Sequence, residues 1–443
     1  MLSKLYDEDQ RTAVIRDVST TVVAPLLFSY VCWILQKCQA AGISTLYFCS
    51  REGQILKRIA DVILCKFKLP VTTVYLFVSR QSLHLAAIDR IDTPALKWLL
   101  NPYAPVTLQS ILTRAGFANS DIQRLAEKYF TNIDPTVVLS KNLKRSAVNV
   151  LRGEPLSDMV LNGAAAQRQL ALLYFRRIGL VEAPSFGLVD IGWLATLQQS
   201  LARILMHVDP EAPKKINGFY FGLRGRPNEA QIGRVHAFCG EGSLAQSWFR
   251  ASAVNEAVIE AFTAADHGSV RRYACDESGD AVAELLQAEN VEAIVWGLAI
   301  HQQSILKYVH EQLDEFTRQN QSPIDRVGSI APRALGELKR FVTRPSQIEA
   351  EIYGQFPHPW DSTRHDRFID LAPPLDRMDL ISLLLTGKAR FPIGWLHGSL
   401  RRSPSTPIVG WLLKTGHVVV KFLTLRVEAV IDTRRRHRDT RKS

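Results

Sequence analysis

The chain has 443 residues, 47% apolar and 22% charged, with a formal net charge of +11. That excludes a chain too polar to build a core, and it leaves room for one large core or two or three smaller ones. The start, Met1-Leu2-Ser3-Lys4-Leu5-Tyr6-Asp7-Glu8-Asp9, is too acidic for a signal peptide, and no uncharged apolar run of about 18 residues predicts a membrane span. Part of the basic excess is local, because residues 434–443 hold six Arg/Lys against one Asp. Such a balance suits acidic small molecules, an anionic membrane surface or nucleic acid. Six cysteines (Cys32, Cys38, Cys49, Cys65, Cys239 and Cys275) lie in mostly apolar surroundings without a C-x-x-C pair. This is the pattern of buried thiols in a reducing compartment.

Thr20 to Ala41 reads as a core helix with Pro25 in its first turn, where proline is tolerated. Ser44–Cys49 is the first expected strand. Gln54–Lys66 is a helix with Ile55, Leu56, Ile59, Ile63 and Leu64 on one side. Val71–Val78 is a second strand, whose apolar second half predicts burial on both faces. Residues 82–182 read as a helical insertion or cap, with helical spacing in Pro105–Ala115, Asp121–Tyr129 and Ala164–Ile178. A third strand is expected at Phe186–Ile191, a helix from about Ala195 to Met206, a fourth strand at Ile216–Leu223 and a helix over Glu256–Ala265. Beyond a soft boundary near 275, Asp280–Gln319 shows helical patterns and no clear strand. Pro357-His358-Pro359-Trp360 reads as an exposed loop, with His358 and His365 in it. The expected fold is α/β: an open, mainly parallel, Rossmann-like sheet in residues 1–275, then a largely helical region over 276–443 with a basic tail.

One phrase occurs twice. Tyr47-Phe48-Cys49-Ser50-Arg51 and Leu76-Phe77-Val78-Ser79-Arg80 are apolar runs ending in Ser-Arg. An amphipathic stretch separates them, so one strand-helix-strand crossover would place both pairs at the same sheet edge. Ligands of open α/β sheets bind at the carboxyl ends of the strands, and arginines there favour phosphate or carboxylate. Ser50-Arg51-Glu52-Gly53 spans a strand-to-helix turn. Arg51 offers a planar donor fork, Glu52 orients it or acts as a base, and Gly53 admits a ligand close to the backbone. The same Arg-Glu pair also suits a purely structural turn.

The third strand ends in Asp190-Ile191-Gly192-Trp193-Leu194-Ala195-Thr196-Leu197-Gln198. Asp190 is a candidate base, sugar contact or metal ligand, or else a neutraliser of the two arginines. Gly192 turns the chain, Trp193 stacks on a ring or fills core volume, Thr196 caps the next helix, and Gln198 is a further candidate ligand contact. Glu260 and His267 form an acid/base candidate pair, although His267-Gly268-Ser269 also suits an ordinary helix stop. Arg224 adds charge near the fourth strand. No P-loop, dinucleotide-binding glycine pattern, H-E-x-x-H or G-x-S-x-G is present. No metal ligand set is assigned, and Mg²⁺ stays open as a cofactor. Pro407–Val430 with the Arg-rich tail reads as a buried element or as an interfacial segment for anionic lipid. Nucleic acid is disfavoured because the basic residues lack interleaved aromatics.

The phrases Pro25-Leu26-Leu27, Leu46 to Gly53, Tyr75 to Arg80, Val189 to Trp193, Gly218 to Leu223 and Glu260 to Tyr273 carry a resemblance. Over roughly residues 20–275 the chain resembles the domain that follows the hydrolase domain in predicted haloacid-dehalogenase-superfamily proteins of bacterial surface-polysaccharide loci. That family usually has Asp where this chain has Glu52, and Gly or Asn near Leu194-Ala195. The hydrolase domain itself is absent from this sequence, so its phosphatase chemistry does not carry over. The resemblance implies a bacterial cytoplasmic protein working beside glycosyltransferases. Two readings follow. In the first, Arg51 and Arg80 hold a phosphorylated sugar or nucleotide sugar, Ser50 and Ser79 add hydroxyl contacts, and Asp190 serves a transferase or hydrolase reaction. In the second, the chain is a non-catalytic accessory that binds a glycosyltransferase or the inner membrane face.

Overall fold

The computed structural model describes residues 8–100, 106–130, 133–225, 227–239, 255–361, 364–386 and 393–404. The stretch Pro407–Val430 and the basic tail lie outside them.

The chain begins with α1 (Glu8–Val18), which runs through a π-helical turn (Ser19–Val23) into α2 (Ala24–Ala41). β1 (Thr45–Cys49), α3 (Gly53–Phe67) and β2 (Thr72–Leu76) form the expected crossover. Six helices follow: α4 (Arg80–Ala86), α5 (Thr93–Leu100), α6 (Leu108–Arg114), α7 (Asn119–Tyr129), α8 (Lys141–Arg152) and α9 (Leu156–Arg177). This is the helical insertion, and it packs a cluster of its own around Leu99, Leu108, Ile111, Leu151 and Val160. Then come β3 (Phe186–Asp190), α10 (Thr196–Leu205), α11 (Ala212–Lys215), β4 (Ile216–Gly222), α12 (Glu229–Ile232), β5 (Arg234–Cys239) and α13 (Glu256–Phe262).

The five strands pair in the order β2-β1-β3-β4-β5, and every pairing is parallel. Side chains alternate along β1. Leu46 and Phe48 enter the core formed with α2 and α3, while Tyr47 and Cys49 enter the core formed with α9 and α10. The direction of winding reverses between β1 and β3, and crevices at such switch points hold ligands. β2 differs from expectation: it is an edge strand, and only Leu76 in it is fully buried. Thr72 is exposed, and Thr73 donates to Asp61 of α3.

The second half holds β6 (Val270–Cys275), β7 (Ala281–Leu285), α14 (Val291–Trp296), α15 (Leu298–Arg318), α16 (Val327–Thr343), α17 (Gln347–Gly354), β8 (Pro357–Asp361), β9 (Arg364–Asp370), α18 (Arg377–Thr386) and α19 (Leu396–Arg402). It is largely helical, but two antiparallel hairpins, β6-β7 and β8-β9, stand where the sequence suggests helix and loop. Period-two alternation is weak in runs this short, so turn and neighbour packing decide them. The boundary expected near 275 falls at the end of β6, where Cys275 pairs with Ala281. It separates no two cores: Val22, Leu26 and Phe48 share one apolar cluster with Ile305, Val309, Leu338, Phe341 and Tyr353.

The rod from Glu8 to Ala41 is long and apolar enough to cross a bilayer, yet 78% of its most apolar window is buried inside the protein. Its π turn carries Ser19, whose hydroxyl lies 2.7 Å from His301 Nδ1. His301 Nε2 donates to the Phe262 carbonyl at 3.0 Å, so Nδ1 accepts from Ser19. Burial lowers the His301 pKa to about 4. A base depressed in the folded state contributes stability that is complete above its unfolded value and lost as pH falls toward the folded one. Between pH 7.5 and pH 4 the stability of the wild type relative to His301→Gln should therefore shrink by about 3 kcal/mol, read from paired urea denaturation curves. A constant difference would contradict this assignment.

Candidate functional site

The carboxyl ends of β1, β2 and β3 meet at one edge. Cys49 pairs with Leu76, and the ladder continues past both strands when Ser50 N–H donates to Leu76 O at 2.8 Å. The buried Ser50 hydroxyl then donates to Val78 O at 2.7 Å and accepts Val78 N–H at 3.1 Å. Ser79 caps α4 through Ser82 N–H and donates to Val270 O at 2.5 Å. Both serines are thus spent on holding the turns, contrary to their expected ligand contacts.

Arg51 adopts a left-handed backbone, φ 71°, which costs a non-glycine residue about 1 kcal/mol or more. Its amide N–H donates to Tyr75 Oη at 2.8 Å, Nη1 donates to Ser269 Oγ at 3.2 Å, and Nη2 pairs with Glu52 at 3.1 Å. Its side chain is 28% exposed. Gly53 opens α3 against the sequence's own backbone: a Cβ there would lie 2.9 Å from the Phe48 carbonyl carbon. Its role is close packing of helix on strand, which corrects the expected approach to a ligand.

Asp190 ends β3, 8% exposed. The Tyr30 hydroxyl, from α2, sits 2.9 Å from both the Asp190 and Phe219 carbonyl oxygens and fixes this strand end. Burial pushes the Asp190 carboxyl up to about 7. Glu52 adds to that, and the Gly192 amide, Arg80 and the Ile191 amide oppose it. Glu260, on α13, is pushed up to about 7 as well, first by burial and then by Glu52, against Arg51 and Arg80. Glu256 is raised by burial and relieved by Arg224, its partner at 2.5 Å, and by Arg80. These acids and arginines therefore form one electrostatic cluster. His358, on β8, enters it too: burial and then Arg51 lower its pKa to about 4. Among the described residues no group of three or more His, Cys, Asp or Glu is placed to hold a metal.

The loop before β6 forms the last wall. Gln54 and Asp266 bond to each other, Gln302 donates to Gln54 Oε1 at 3.1 Å, and Arg58 donates to Gln302 at 2.7 Å. Gly268 packs on the Gln287 backbone, where a Cβ would meet the carbonyl oxygen at 2.8 Å. His267 lies in this loop, but its partners are Tyr75 Oη at 2.7 Å and the Gly268 carbonyl at 2.8 Å, so the expected pairing with Glu260 is not formed.

Two further expectations, for Gln198 and Thr196, are corrected, and of the two readings of Trp193 the core one holds. Gln198 is fully buried. It donates to Ile232 O and Arg234 O and accepts from Tyr220 Oη at 2.7 Å, because the absent side chain of Gly218 leaves it room. It ties α10 to β4 and faces no ligand. Trp193 packs edge-on against Phe221 in the main core. Thr196 is the first helical residue rather than the cap; the cap position is Ala195, left-handed at φ 54° without a side-chain bond. A Gly or Asn would take that conformation with less strain. Gly192 has open space around its Cβ direction and directs its N–H toward Asp190 Oδ1 at 3.5 Å.

No protein-family model matches this chain, and no curated protein matches it.

Two outcomes follow from the geometry. An acid whose folded pKa is raised loses stability as pH climbs through the interval between its two values. Asp190→Asn should accordingly gain on the order of 2–4 kcal/mol over the wild type between pH 5 and pH 8, seen as diverging denaturation midpoints; parallel profiles would count against an ionisable buried Asp190. Gly53→Ala should cost about 1–3 kcal/mol by overpacking α3 on Phe48, measured by chemical denaturation.

Proposed function

We propose that the carboxyl edge of the sheet binds a phosphorylated sugar or nucleotide sugar and transfers the sugar to a hydroxyl or to water. The observation that carries this reading is the convergence of Arg51, Arg80 and Asp190 in one cluster at the switch point between β1 and β3. Arg51 and Arg80 hold the phosphate: the Arg51 fork uses two side-chain contacts, to Ser269 and Glu52, out of five N–H donors. Asp190 is the base. Its carboxylate takes the proton of the attacking hydroxyl as the sugar-to-phosphate C–O bond breaks and the phosphate leaves toward the arginines. A carboxyl titrating near 7 is matched to proton transfer at neutral pH. The likeness to the domain from bacterial surface-polysaccharide loci supports a place beside glycosyltransferases in the cytoplasm.

A second reading draws on the ion pairs Arg51–Glu52 and Arg224–Glu256, which already neutralise part of the cluster. It makes the chain a non-catalytic accessory to a glycosyltransferase.

A thermal-shift screen against nucleotides, nucleotide sugars and sugar phosphates, with and without Mg²⁺, tests the first reading. A stabilising ligand class is expected, with its shift abolished in a folded Arg51→Ala variant. A panel without any shift would transfer the assignment to the accessory reading.

A further inference from the structure

Tyr75 is a residue that sequence reasoning treats only as part of a strand, yet it sits at the centre of a closed ring of hydrogen bonds. The Gly268 carbonyl can only accept, so the neutral His267 ring carries its proton on Nδ1 and donates there at 2.8 Å. Nε2 is then an acceptor, and Tyr75 O–H donates to it at 2.7 Å. The same Tyr75 oxygen accepts the Arg51 amide N–H at 2.8 Å. The ring closes through the residue after Gly268, because Ser269 Oγ accepts from Arg51 Nη1 at 3.2 Å. Arg51 is therefore gripped twice, at its amide by Tyr75 and at its guanidinium by the loop that His267 anchors. Its left-handed backbone needs such a grip, since strain of this kind persists only where surrounding contacts over-determine it.

The loop is itself immobilised by Gln54–Asp266 and by the close approach of Gly268 to Gln287, and Tyr75 and Phe77 hold the imidazole edge-on and tilted. With both imidazole nitrogens engaged by Tyr75 and Gly268, His267 is better suited to orient a neighbour than to exchange protons with a ligand.

We infer that Tyr75 and His267 are positioning residues that hold Arg51 in the one backbone conformation presenting its guanidinium to a phosphate at the sheet edge. This rests on the phosphate-binding reading above. It assigns His267 a place in the site other than acid/base catalysis, and it brings Tyr75 into the site.

The test uses the full chain with inorganic pyrophosphate as the probe, by titration calorimetry, alongside amide hydrogen exchange at Arg51. Tyr75→Phe and His267→Ala should each weaken pyrophosphate binding at least tenfold and speed Arg51 amide exchange. His267→Gln should restore both, because its side-chain carbonyl can accept from Tyr75 where Nε2 does. The double variant Tyr75→Phe/His267→Ala should bind no more weakly than either single one, as members of one chain of bonds do. Wild-type affinity in Tyr75→Phe, or an Arg51 amide as protected there as in the wild type, would overturn the inference while Arg51→Ala still abolishes binding. If the wild type does not bind pyrophosphate, or Arg51→Ala binds it equally well, the phosphate reading itself falls and this inference with it. A loss of binding in His267→Gln equal to that in His267→Ala would also overturn the positioning role.

Discussion

The Ser50 hydroxyl, bonded both ways to the Val78 backbone, is the interaction on which the carboxyl edge depends. β1 and β2 stop pairing as strands at Cys49 and Leu76. Without the clamp, two turns would leave the sheet independently. With it, the turns are stitched together beyond the ladder, next to Arg51, whose left-handed backbone Tyr75 holds, and to Ser79, which caps α4 and reaches Val270. A buried hydroxyl satisfied as donor and as acceptor has its desolvation compensated by the two bonds, so the clamp specifies geometry without leaving an unpaired polar group in the core.

The electrostatics rest on this geometry. Glu52, Asp190, Glu256 and Glu260 crowd one edge with Arg51, Arg80 and Arg224. Burial raises Asp190, Glu256 and Glu260, and the arginines limit the rise. The balance leaves Asp190 and Glu260 near 7 at this buried sheet edge.

Much of this was legible in the sequence. The repeated Ser-Arg phrase, with an amphipathic helix between its copies, located the edge, because a parallel crossover has few alternatives. Asp190 was legible as an acid ending an apolar strand. Other features were not. Gln198 and Trp193 looked like site residues because polar and aromatic side chains near a strand end carry no label for the face they take; the small size of Gly218 and the position of Phe221 decided it. Tyr75 was invisible for the converse reason, since an aromatic residue in a strand is ordinary until its hydroxyl is seen beside Arg51 and His267. The boundary near 275 misled because a change from strands to helices along the chain marks a change of local structure, not of core.

The rod formed by α1, the π turn and α2 has a consequence for how the molecule is made. Its partners lie far along the chain: Arg11 donates to the Trp296 carbonyl and Gln355, Ser19 meets His301 and Tyr353, and Gln36 reaches Ile324. Synthesis proceeds from the amino terminus, so this apolar helix emerges long before the helices that cover it. Contacts of such sequence separation slow folding, and uncovered apolar surface in the interval invites association with other chains. The helix that unites the two halves of the finished protein is thus also one whose apolar surface stays uncovered until the second half has been made.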